Sequence, residues 1–123
     1  MKISEITLLD LDYEYKLWKN RLQYIHQDMV VLKERILELH SADDKVRKPG
    51  VVIETRVESL LNKSDVCLRS IKVHEEEASY YAREYPIDQQ HQHYQDHEKV
   101  RAEVKLLWEE YIAVSDEFLR KFA

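Results

Sequence analysis

One stretch of the chain limits its folding choices more than any other. From Leu8 to Leu39, alternating steps of three and four residues land on Leu8, Leu11, Tyr15, Trp18, Leu22, Ile25, Met29, Leu32, Ile36 and Leu39. All are apolar or aromatic. An average period near 3.5 is the seam of a coiled coil, where each side chain enters a hole on a facing helix. A stripe this long cannot stay in water, so the remaining chain must supply the surfaces that cover it.

The remainder offers two more stripes. One reads Ile53, Val57, Leu60, Ser64, Cys67, Ile71, His74, Ala78, Tyr81, Tyr85, and the other His93, His97, Val100, Val104, Leu107, Tyr111, Val114, Phe118. With 123 residues the chain has material for one domain and too little for two. A single Gly and two Pro leave few turn residues for a sheet. The expected fold is therefore all-α: an elongated, antiparallel, up-down-up three-helix bundle with coiled-coil-like heptad packing, spanning residues 1–123 as a single domain. A break in the first helix near Asp10 or Asn20 would give a four-helix variant, and the unbroken stripe argues against it.

Helix ends follow from capping and breaking residues. Ser4 or Thr7 caps the first helix, expected over about 5–40. The polar stretch 41–50, which carries Pro49 and the lone Gly50, is expected as the first connection, with the second helix over about 51–84. Pro86 ends that helix and Asp88 caps the third, over about 88–122.

Antiparallel pairing about turn centres near 46 and 86 puts Trp18, His74 and His97 in one layer. His93, Ala78 and the Tyr13–Glu14–Tyr15 stretch come one turn beyond it. At the opposite end Leu60 and Leu61 face Leu32 and the Tyr111–Ile112 pair. One end is thus aliphatic, and the other carries histidines and aromatic rings.

His93 and His97 are spaced i and i+4, which permits joint chelation of a metal, and His74 faces them with Glu77 or Glu14 near enough to complete a set. The simpler reading makes all three seam histidines, hydrogen-bonded to Tyr, Glu or one another, whose protonation near pH 6 would weaken the bundle. The sequence contains neither His-Glu-x-x-His nor Glu-x-x-His, so zinc-protease and di-iron carboxylate patterns are missing. No metal and no cofactor is the favoured expectation; a metal-binding bundle using His74, His93 and His97 is the rival. Cys67 lies on an aliphatic seam and reads as a small hydrophobe, and Ser64 as a hydroxyl bonded back to its own helix.

The net charge is −5, with both signs interleaved along the chain. The only basic cluster, Lys45, Arg47 and Lys48, sits beside Asp43 and Asp44, so a phosphate-tracking nucleic-acid surface is not expected. No apolar run approaches the roughly 20 residues of a membrane span. The opening Met-Lys-Ile-Ser-Glu lacks an apolar signal core, and a cytoplasmic setting with a reduced thiol is expected.

Apolar residues remain that no seam uses. Leu17, Tyr24 and Val31 recur every seven residues on the first helix, with Val30 and Leu37 beside them, and the third helix adds Leu106 and Leu119. Surplus apolar surface of this kind marks a partner. The chain is accordingly expected to be non-enzymatic, a helical protein–protein interaction or assembly module that forms a homo-oligomer or binds a helical protein. Binding of a small apolar ligand between the helices is a weaker third reading.

Overall fold

The computed structural model describes residues 8–42, 44–84 and 92–122, with side chains over 10–39, 50–80 and 92–122. Three helices fill these ranges: α1 (Leu8–Ala42), α2 (Asp44–Glu84) and α3 (Gln92–Phe122). Among the described residues there is no strand, and the fold is a three-helix bundle. The caps expected at Ser4, Thr7 and Asp88, and the stop at Pro86, lie outside the described residues.

Cross-helix pairs fix the directions. Lys19 bonds Glu75 at 2.8 Å and Lys33 meets Glu58 at 3.0 Å, so α1 and α2 run antiparallel. Arg56 pairs with Glu117, and Lys63 with Glu110 at 3.4 Å, so α2 and α3 do the same. The stability of such partly exposed pairs is modest, about 0–1 kcal/mol each, and they select register more than they hold the fold.

Burial follows the three stripes. Leu11, Tyr15, Trp18, Leu22, Ile25, Met29 and Ile36 are buried on α1, while Leu32 and Leu39 are half-buried. Ile53, Val57, Leu60, Cys67, Ile71 and Ala78 are buried on α2, with His74 half-buried. On α3 the buried residues run His93, Tyr94, His97, Val100, Val104, Leu107, Tyr111, Val114. Burying each Leu, Ile or Val fully contributes roughly 1.5–3 kcal/mol before chain entropy is counted.

The three helix pairs are not equivalent. α2 packs closely along both neighbours, whereas the backbones of α1 and α3 approach each other at few places. Ring size explains this. Tyr15 and Trp18 of α1 lie against His97, and Tyr24 lies against Trp108 and Tyr111, with centroids 4.6–6.1 Å apart. Rings of this width hold two helices further apart than the aliphatic side chains that α2 presents. The Tyr111 hydroxyl donates to Asp28 Oδ2 at 2.6 Å across the same seam. Burial and this carboxylate both push the Tyr111 phenol above its usual range, keeping it a donor.

Two local expectations change. α2 begins at Asp44, so Pro49 and Gly50 lie within the helix and not in the connection predicted over 41–50. Pro49 is the sixth residue of α2, past the first turn, so it forgoes the bond to the carbonyl of Lys45 and the helix runs through it at that local cost, its φ being already helical. Gly50 is buried, and its missing side chain suits a tightly covered position. Ser64 is the other case: its buried Oγ has no hydrogen-bond partner among the described residues, where a bond to its own helix was expected.

Candidate functional site

The histidine end of the bundle separates into two clusters. In the first, His93 stands in the opening turn of α3, buried, with Nε2 2.9 Å from the Tyr15 hydroxyl. The His74 ring of α2 lies edge-on to it at 5.7 Å. Glu77, one turn beyond His74 on the same helix face, brings Oε2 to 3.9 Å from His74 Nδ1 and 3.7 Å from His93 Nδ1. One donor atom from each of these three side chains lies within 4.8 Å of the others.

The second cluster belongs to His97. Its Nε2 meets Glu14 Oε1 at 2.9 Å. Arg101, one turn further along α3, clamps the same carboxylate with Nε at 2.8 Å from Oε2 and a second bond from its terminal nitrogen to Oε1. The imidazole is wholly buried among rings, with Trp18 at 4.6 Å, Tyr15 at 4.9 Å and Tyr94 stacked at 6.4 Å. Its Nδ1 has no hydrogen-bond partner among the described residues. Because Glu14 is a carboxylate, Nε2 carries the hydrogen and donates, and Nδ1 is left a bare acceptor.

The titration behaviour follows from these contacts. Burial holds the His97 imidazole below its usual pKa, against the opposing pull of Glu14. The carboxylate cannot win because Arg101 already neutralises it. Burial raises Glu14, but the bonds from Arg101 and His97 outweigh it and leave the carboxyl below its usual range. The same clamp keeps Arg101 firmly charged. Burial, reinforced by Glu77, Glu75 and Glu14, raises the Tyr15 phenol and keeps it protonated.

The expected layer of Trp18, His74 and His97 is therefore met in part. Trp18 and His97 meet as tilted rings, while the ring beside His74 is His93. The chelating set drawn from His74, His93 and His97 is not the one assembled: His97 turns to Glu14 and Arg101, and Glu77 stands with the other two. Pairing by level places a residue to within one turn, and His93 and His97 differ by just one turn. Arg101 was not anticipated, although its place four residues after His97 on the same face was legible.

The bundle's exterior carries the second set of candidates. Tyr24, Val30, Val31, Leu37, Leu106 and Leu119 are exposed, and Leu17 is half-buried. Tyr24 also leans on Trp108 and Tyr111, so part of its ring is already occupied. The sequence reading missed a line on α2: Val66, Val73 and Tyr80, seven residues apart, are 62%, 54% and 68% exposed. Its heptad spacing was visible beside the seam. Val66 faces Leu106 of α3 across a groove of about 890 Å³, floored by Cys67 and Leu107 and edged by Lys63, Glu103, Glu109 and Glu110.

Burial and then Glu103 push the Cys67 thiol up to about 11, so it is protonated at neutral pH and unsuited to nucleophilic attack. Among the described residues no helix is long and apolar enough to cross a membrane. No protein-family model, no curated protein and no solved structure matches the chain.

Proposed function

We propose that this protein is a non-enzymatic helical interaction module of the cytoplasm, which assembles with a second copy of itself or with another helical protein through apolar lines outside its core. One observation carries the reading: the exposed line Val66, Val73, Tyr80 repeats at the heptad interval along α2, beside a groove already half-built by Leu106. Singly scattered apolar residues are normal on any surface. A row at the spacing of a packing helix is the pattern that a further helix covers. The line Leu17, Tyr24, Val31 on α1 has the same spacing but is partly covered, Leu17 being half-buried and Tyr24 resting on Trp108 and Tyr111.

Light scattering at high micromolar concentration tests the self-assembling version. The expected mass exceeds the 14.9 kDa of one chain. The double variant Val66→Glu, Val73→Glu is expected to return the single-chain mass with unchanged helicity, because both positions lie outside the core. A single-chain mass for the unaltered protein at every concentration would end the homo-oligomer version and leave a different helical protein as the partner.

A further inference from the structure

We propose that His74, Glu77 and His93 form a site for one divalent transition-metal ion, zinc being the natural occupant, that clips the start of α3 to α2. This inference stands apart from the interaction reading above, because it concerns side chains between α2 and α3 and not the exposed row on α2, and it needs no partner chain.

The donor set is the first argument. Two imidazoles and one carboxylate suit zinc and its neighbours, and hard cations such as magnesium and calcium prefer oxygen alone. Spacing is the second. Donors bound at about 2.0–2.2 Å in a tetrahedron lie a little over 3 Å apart. Glu77 Oε2 already stands 3.7 Å from His93 Nδ1 and 3.9 Å from His74 Nδ1. Glu77 closes its share by a shift of roughly half an ångström of its half-exposed side chain, and the two imidazole donors, within 4.8 Å of each other, must close the rest by ring rotation. His74 Nδ1 is buried with no hydrogen-bond partner among the described residues, so no existing bond of that atom must break first.

The surroundings are the third argument. Metal-bound histidines usually donate their other ring nitrogen to an oxygen, which fixes tautomer and ring orientation. His93 Nε2 already lies 2.9 Å from the Tyr15 hydroxyl. With Nδ1 facing the ion, Nε2–H donates to Tyr15, and that phenol stays protonated in this setting. Glu75 is neutralised by Lys19, while Glu76 beside Glu77 adds negative charge at this end of α2. Three protein donors leave a fourth position open, and the 49% exposure of the Glu77 side chain gives it a path to water.

Zinc chloride titrated into chelator-treated protein, followed by calorimetry and by thermal melting, tests the site. Expected are one saturable zinc per chain and a melting temperature that rises with zinc. Glu77→Gln keeps the shape of a surface side chain and so keeps the fold; it is expected to weaken binding beyond the roughly 10–100-fold typical of losing a mere supporting contact. His26→Ala removes an exposed imidazole elsewhere and should leave affinity unchanged. Absence of saturable binding, unchanged affinity in Glu77→Gln, or an equal loss in His26→Ala would each overturn the proposal.

Discussion

Trp18→Ala is expected to cost roughly 3–5 kcal/mol, the range for truncating a buried large aromatic. For a domain whose whole stability is on the order of 5–15 kcal/mol, that is a large share, and a fall in melting temperature of about 10–20 °C should accompany it. The magnitude belongs at the upper end because the space cannot close. Trp18 is 2% exposed and fills the gap between α1 and α3, where the neighbouring rings of Tyr15 and Tyr24 act as spacers. Removing the indole also uncovers the His97 ring, 4.6 Å away. Trp18→Phe should cost distinctly less, since a ring remains in place. Urea titration of both variants measures the difference, and a loss below about 1 kcal/mol for Trp18→Ala would mean that the α1–α3 seam is not closely packed.

Acid is expected to weaken the bundle in two steps. The folded pKa of His97 lies below its ordinary 6.5, so between those values the unfolded chain binds the extra proton and the folded chain does not. Stability from this group is complete above about pH 6.5 and declines as pH falls toward the folded value. The cause is that protonation would place a hydrogen on Nδ1 where no acceptor waits, beside the charge of Arg101 and opposite His74. Glu14 acts lower. Its folded pKa is below the ordinary 4.5, so its contribution is present above that value and is lost as pH falls through the folded one. Melting temperatures at pH 8, 5.5 and 4 resolve the steps. His97→Gln, which keeps a donor for Glu14 but does not titrate here, is expected to flatten the upper step. Equal melting temperatures at pH 8 and 5.5 for the unaltered protein would remove the case for a buried neutral imidazole.

The helices and their inward faces were legible because apolar periodicity is a local signal and repeats many times. Leu11 through Met29 and Ile36 on α1, and Val100 through Val114 on α3, are buried at the predicted positions, with Leu32 half-buried. What escaped depends on tertiary geometry. Pro49 and Gly50 read as a break, yet lie within α2, because a turn signal states a local preference that packing can override. Which histidine meets which carboxylate was beyond sequence spacing alone. Glu77 and Glu14 were equally near His74, His93 and His97 on paper, and only the lateral placement of α1 assigns Glu14 to His97. The unequal helix separations also come from ring size across the seam, and periodicity is blind to size. The exposed row on α2 was within reach, since Val66, Val73 and Tyr80 differ from the seam by a constant offset.

The lone thiol has a practical meaning. Cys67 is 4% exposed and, at about 11, almost wholly protonated at neutral pH, so a disulfide reagent in solution finds neither access nor a thiolate. Labelling must wait until α3 lifts away from α2, which makes the labelling rate a clock for that opening. The rate is expected to be far slower in the native chain than in urea, and slower again whenever something settles over Val66 and Leu106; equal rates in buffer and urea would show that this wall of the bundle stands open.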